Sequence, residues 1–210
     1  NAAVGIVVDI LHGVCLRSAV SKDGYRKLAI FIIIASLPAA VMGMIFKPLV
    51  YMLFSSKLAV GIFLVATGTV LWLGEFSSKS RIKPADLTLW KALSIGIAQG
   101  FAIAPGFSRS GATISTGLFW GLRREDAARF SFLLSIPVIL GAGILELKDV
   151  DALGFAIGSG VPILLAFIAS IISGYLAIRL VLTAVKRSKL TIFAVYTWVL
   201  GISVIIWSVI

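Results

Sequence analysis

Five apolar runs dominate this sequence: Leu28–Phe46, Leu58–Leu73, Phe130–Leu147, Val161–Val185 and Leu190–Ile210. A helix that crosses a bilayer needs about twenty mostly apolar residues, and these runs have that length. In hydrocarbon every backbone N–H and C=O has to be satisfied within the segment, so runs of this kind fold as helices. Composition agrees, because 60% of the 210 residues are hydrophobic and 13% are charged. An ordinary soluble domain carries about 45–50% and about 25%. With a mean hydropathy of +1.08, the chain lacks the polar surface to face water all round. The expected fold class is all-α, a polytopic integral membrane helical bundle over residues 1–210. Disorder, collagen-like repeats and coiled coils are excluded by the same figures, and Cys15, the only cysteine, excludes a disulfide scaffold. A sixth run, Asn1–Leu16, is weaker because it is short and carries Asp9 and His12. No signal-peptide pattern precedes it, and with Asn rather than Met at its start the chain reads as a piece of a longer protein.

Nineteen Lys and Arg against nine Asp and Glu give a formal charge of +10. In a soluble protein that excess would suggest nucleic acid. Here the basic residues cluster between apolar runs, at Arg17–Lys27, Lys79–Lys83, Arg123–Arg129 and Lys186–Lys189. Cytoplasmic loops of membrane proteins carry such clusters beside anionic headgroups. Placing all four in the cytoplasm leaves Lys47–Lys57 and the acidic Glu146, Asp149 and Asp151 on the outer side. Arg179 then snorkels toward the Lys186–Lys189 loop, Glu75 is interfacial, and Trp72, Trp90, Trp120, Trp198 and Trp207 mostly read as interface anchors.

Between Leu73 and Phe130 lie two apolar pieces too short to fill a bilayer, Leu87–Ala104 and Gly111–Leu122. They predict a re-entrant, broken helix pair meeting at Pro105–Ser110, approached from the outer side or lying at mid-depth. A faint repeat accompanies them: Ser36-Leu37-Pro38 with Gly43 recurs as Ser135-Ile136-Pro137 with Gly141 and Gly143. Both triplets follow a basic loop, which predicts an inverted repeat with a partial first copy over about 1–76 and a second over about 87–210. Such repeats build midplane sites from broken helices. The first-copy partner of Pro105–Thr113 would fall at or before Asn1.

The run Pro105-Gly106-Phe107-Ser108-Arg109-Ser110-Gly111-Ala112-Thr113 is where chemistry is expected. An Arg near the centre of a membrane helix costs roughly 2.5–3.5 kcal/mol on insertion scales. Pro105 and Gly106 stop the incoming helix, and Ser108 or Ser110 can cap the outgoing one. The freed amides then face the break with the positive end of the helix dipole behind them. A guanidinium fork, three hydroxyls and several amides suit a phosphate or diphosphate, whose oxygens only accept hydrogen bonds. The bland alternative is an Arg that snorkels or pairs with an acid beside helix-capping serines. Gly111, Ala112, Ser115, Thr116, Gly117 and Gly121 read as a thin helix face for close packing.

Ala98-Gln99-Gly100, the Pro105–Thr113 run and Ala127-Ala-Arg-Phe-Ser-Phe-Leu-Leu-Ser-Ile-Pro137 strongly resemble the undecaprenyl-diphosphate phosphatase family, also called the bacitracin-resistance protein family. The resemblance covers most of the chain. It implies a hydrolase of the bacterial plasma membrane that removes the terminal phosphate of undecaprenyl diphosphate, regenerating the lipid carrier of cell-wall peptidoglycan synthesis. It also implies two re-entrant segments and a divalent cation such as magnesium or calcium. On this resemblance Arg109 and Ser108 are the expected catalytic residues. Ser110, Thr113, Gly111 and Gln99 would bind substrate, and no metal ligand is assigned. A polyprenyl diphosphate lipid is the expected partner; nucleic acid is not, and a homodimer is left open.

One departure is large. The family's first motif, a Glu-rich segment ending in Pro-Val-Ser-Ser-x-Gly-His, has no match here, which predicts either a truncated chain or a variant lacking half the site. Asp9 and His12, three apart on one helix face, read as a frayed end, as a partner for Arg109, or as replacements for the missing acids. Two residues are too few for a metal site. A transporter or flippase for an anionic lipid is the competing class, since broken helices and a buried Arg suit it as well. A third reading is an inactive homologue that only binds lipid.

Overall fold

The computed structural model describes residues 22–77, 82, 84–150, 160–187 and 190–209. They form α1 (Lys22–Ile45), α2 (Lys47–Phe54), α3 (Lys57–Ser77), α4 (Leu89–Phe101), α5 (Arg109–Phe119), α6 (Arg124–Val150), α7 (Gly160–Arg187) and α8 (Thr191–Val209), with a 3-10 turn at Pro84–Asp86. Helices α1, α3, α6, α7 and α8 coincide with the five apolar runs, and each is long and apolar enough to cross a membrane. The chain is an all-helical, multi-pass membrane protein. The sixth run with Asp9, His12 and Cys15 lies outside the described residues, as do Lys79, Arg81, Lys83 and Lys189.

Helix α2 replaces an expected loop. Pro48 in its first turn suits a helix start, and no breaker follows until Ser55. None of its residues is buried, and its eight residues rise only about 12 Å, so it joins two spans without crossing anything itself.

Small residues let the spans touch. In lipid, helices associate through van der Waals packing rather than hydrophobic burial, so close approach is decisive. A methyl added at Gly61 would fall 2.6 Å from Ile205 of α8, and one at Gly201 would fall 2.9 Å from the Gly61 carbonyl. Trp198, seven residues into α8, is no interface anchor: its indole N–H donates to the Val65 carbonyl and Thr69 hydroxyl, each at 3.2 Å. On the other side α4 packs against α1, where a methyl at Gly96 would collide with the Ala35 carbonyl.

The helix ends sort by charge. Glu75, near the end of α3, accepts from Arg124 of α6 and, at 3.1 Å, from the Leu190 N–H that opens α8. The Ile82 N–H donates to the Gly121 carbonyl at 2.9 Å, so both feet of the α4–α5 hairpin stand together. Leu28 of α1 joins Leu87, Leu122, Val185 and Leu190 in one buried cluster. Every described helix end next to a basic loop therefore lies at one end of the bundle. At the opposite end Lys57 sits 4.2 Å over the Trp207 ring, joining the start of α3 to the end of α8.

Candidate active site

Helices α4 and α5 run out from the basic end and back again. With 13 and 11 residues they rise about 20 Å and about 16 Å, against a hydrocarbon core of about 30 Å. Their connecting turn, residues 102–108, therefore lies part-way along the spanning helices, against Val60 and Thr67 of α3. Gly106 makes the reversal at φ +86°, a left-handed conformation that a Cβ disfavours. It also lies against α3, where an added methyl would run into the Val60 carbonyl.

Ser108 is the N-cap of α5, its hydroxyl accepting the Gly111 N–H at 3.1 Å while its carbonyl takes the Ala112 N–H at 2.9 Å. Capping by Ser108 was one of the two choices the sequence offered, and α5 accordingly starts two residues ahead of the expected Gly111. Ser110 stands beside it, with the two hydroxyl oxygens 3.5 Å apart. Because Ser108 Oγ and the Ala112 bond absorb two first-turn donors, the N–H groups of Arg109 and Ser110 are the ones left free among the described residues. The Arg109 side chain is exposed and pairs with no described acid. Arg124 and Arg129 are committed elsewhere, to Glu75 and to Glu125. Ser108, Arg109, Ser110 and Gly111 thus stand together at one helix N-terminus.

Thr113 and Gln99 stand behind that turn. Thr113 is 1% exposed, with its hydroxyl 2.6 Å from Ser131 of α6 and 2.8 Å from the Arg109 carbonyl. Gln99 is also 1% exposed, its amide N–H reaching the Leu134 carbonyl at 3.5 Å while its Oε1 has no partner among the described residues. Both tie the hairpin to α6.

Two residues escaped sequence reasoning. Thr67 of α3 is 2% exposed, and its hydroxyl accepts the Ser108 N–H at 2.9 Å and lies 3.2 Å from the Gly106 carbonyl. Ser131 is the buried partner of Thr113. The only trace of Thr67 in the sequence is a pair of hydroxyls, Thr67 and Thr69, inside an apolar run. A threonine that bonds its own helix costs little in lipid, so nothing marked it out.

No cluster of three or more His, Cys, Asp or Glu side chains occurs among the described residues. The turn offers amides, hydroxyls and a guanidinium, whereas a hard divalent cation takes carboxylate and carbonyl oxygens. The described residues therefore do not fit the cation that the family resemblance implies.

Residues 3–203 match the family of the bacitracin resistance protein BacA. The chain belongs to the BacA family. Relatives carry the name undecaprenyl-diphosphatase. One from Methanosphaera stadtmanae is 41% identical over 205 residues, covering 97% of this chain and 73% of its own length. One from Desulforapulum autotrophicum is 46% identical over 192 residues, covering 90% and 68%. One from Methanothermobacter thermautotrophicus is 48% identical over 177 residues, covering 83% of this chain and 97% of its own length. Within the BacA family, then, one named relative is matched by this chain almost end to end.

Proposed function

We propose that this chain hydrolyses undecaprenyl diphosphate to undecaprenyl phosphate and inorganic phosphate, recycling a lipid carrier of cell-wall synthesis in the plasma membrane, with its basic end cytoplasmic. The observation that carries the reading is the donor-only turn part-way along the spanning helices of a BacA-family chain. Arg109, the free N–H groups of Arg109 and Ser110, and the Ser108 and Ser110 hydroxyls gather there with no described acid beside them. Such a set stabilises an anion whose oxygens only accept.

Arg109 grips the terminal phosphate and offsets the negative charge that shifts between its oxygens as the anhydride P–O bond breaks. The free N–H groups and the Ser110 hydroxyl orient the phosphoryl oxygens. Water's oxygen ends on the released phosphate, its displaced proton passes to solvent, and the bridging oxygen leaves with undecaprenyl phosphate. Positioning plus electrostatic stabilisation supplies most of the catalysis in phosphoryl transfer. Ser108 serves as a donor and cap: its oxygen already accepts an N–H, and no described base touches it. Thr113 and Gln99 hold the hairpin from behind, and Gly111 lets α5 approach α3 near Thr67.

Phosphate release from undecaprenyl diphosphate by the purified protein in detergent micelles tests this. Uptake of the lipid into vesicles without hydrolysis would instead establish the carrier.

A further inference from the structure

Helix α3 lies against the Gly106–Ser108 segment through Val60, Phe63 and Thr67, of which Thr67 contributes a polar side chain. The Val60 carbonyl lies under Gly106, and the Phe63 ring meets the Phe107 ring edge-on with centroids 6.2 Å apart. The Thr67 hydroxyl is the third. A threonine in a membrane helix ordinarily spends its proton on a carbonyl one turn back, and Thr67 has that option at Phe63, 3.0 Å away. It also has two partners 39 and 41 residues away in sequence, the Gly106 carbonyl and the Ser108 N–H. Accepting from one and donating to the other, a single hydroxyl clasps both flanks of the Phe107 residue. That clasp sets the direction in which the Ser108 cap, and hence the first turn of α5, points.

We infer that Thr67 is a positioning residue for phosphoryl transfer: its hydroxyl fixes the Gly106–Ser108 backbone so that the free N–H groups of Arg109 and Ser110 meet the phosphoryl oxygens in the transition state. This rests on the phosphatase reading above. Thr67 is buried and touches no substrate; it acts through Ser108. Its oxygen also occupies the Ser108 N–H, so the donor array facing the phosphate begins one residue later, at Arg109.

Thr67→Val keeps the shape of the side chain and removes only the hydroxyl. In phosphate release from undecaprenyl diphosphate, it lowers kcat about tenfold, or about 1.4 kcal/mol. KM stays within about threefold, because the guanidinium and the prenyl chain's contacts are untouched. Thr67→Ser returns kcat to within about threefold of wild type, since an interaction made through the hydroxyl is restored with it. Hydrogen exchange over residues 102–108 is faster in Thr67→Val than in wild type and normal in Thr67→Ser. Wild-type kcat in Thr67→Val overturns the inference. So does an equal loss in the Ser and Val variants, which would make the β-methyl group the reason for the residue. If Thr67→Val does not fold, Thr67→Ala carries the same expectations. If folded wild-type protein releases no phosphate, the phosphatase reading fails, and unchanged exchange in the turn overturns the clasp as well.

Discussion

Arg109→Lys is the most informative single change, because it preserves charge and discards geometry. Arg109 is the first residue of α5, where the Ser108 cap fixes its backbone. No hydrogen bond among the described residues uses its guanidinium; Thr113 uses only its carbonyl. The substitution therefore leaves cap, helix and hairpin intact. A guanidinium presents two parallel N–H donors to two phosphoryl oxygens, whereas an ammonium is a point charge that meets them singly. Losing one charge-assisted hydrogen bond costs about 1.5–3 kcal/mol. As negative charge shifts on the phosphoryl oxygens during displacement, the loss falls mainly on the transition state. We expect turnover of undecaprenyl diphosphate to fall at least about a hundredfold, or about 2.7 kcal/mol, with kcat and kcat/KM reduced together. The assay is phosphate release in detergent micelles, run beside size-exclusion chromatography and a thermal melt to establish folding. Near-normal hydrolysis by a well-folded Arg109→Lys protein would refute the assignment and return Arg109 to a snorkelling side chain.

Three further changes separate site from scaffold. Gly106→Ala forces a Cβ into a left-handed residue pressed on the Val60 carbonyl; the backbone term alone is about 1–2 kcal/mol, and both melting temperature and phosphate release should fall. Ser108→Ala removes a cap worth about 1 kcal/mol and one hydroxyl at the site, so a roughly tenfold loss of kcat is expected; complete loss with the fold intact would make Ser108 the group that attacks phosphorus. Glu75→Gln keeps an acceptor for the Leu190 N–H but leaves Arg124 without its counter-charge. It should lower the melting temperature by a few degrees and spare kcat in the surviving protein, since Glu75 lies about 12 Å along α3 from Thr67.

The spans were legible because hydropathy and length alone decide them: each of the five long runs became a helix. The break was legible too, since Pro105, Gly106 and a buried-looking Arg in apolar surroundings contradict a continuous span. The contacts made between elements were not. Glu75 read as merely interfacial because its partners, Arg124 and Leu190, are 49 and 115 residues away. The sequence likewise cannot show that Ser131 of α6 lies against the Thr113 hydroxyl. Trp198 read as an interface anchor for the same reason: its place seven residues inside α8, against Val65 and Thr69, depends on helix register. The α2 helix was missed because eight residues between two spans carry too little periodic signal to distinguish a helix from a connection.

Ion pairs and the candidate site occupy different levels of this bundle. At the basic end two ion pairs and a backbone bond join the helices: Glu75 holds Arg124 and the start of α8, Glu125 holds Arg129 at 2.5 Å, and the hairpin's feet are joined at Ile82 and Gly121. Away from the feet, the hairpin's tip reverses that pattern. Its backbone is fixed by Thr67, by the Ser108 cap and by Thr113 against Ser131, yet its one cation and two of its N–H donors have no partner among the described residues. A rigid frame around unsatisfied donors is what an anion site requires, because donors that are already oriented lose little entropy when the anion arrives. Had an acid of this fold paired with Arg109, as Glu75 pairs with Arg124, substrate would first have had to displace it. The absence of a described acid at the tip and the ion pairs at the feet are therefore two sides of one arrangement, in which the feet hold the hairpin while its tip keeps donors with no described partner.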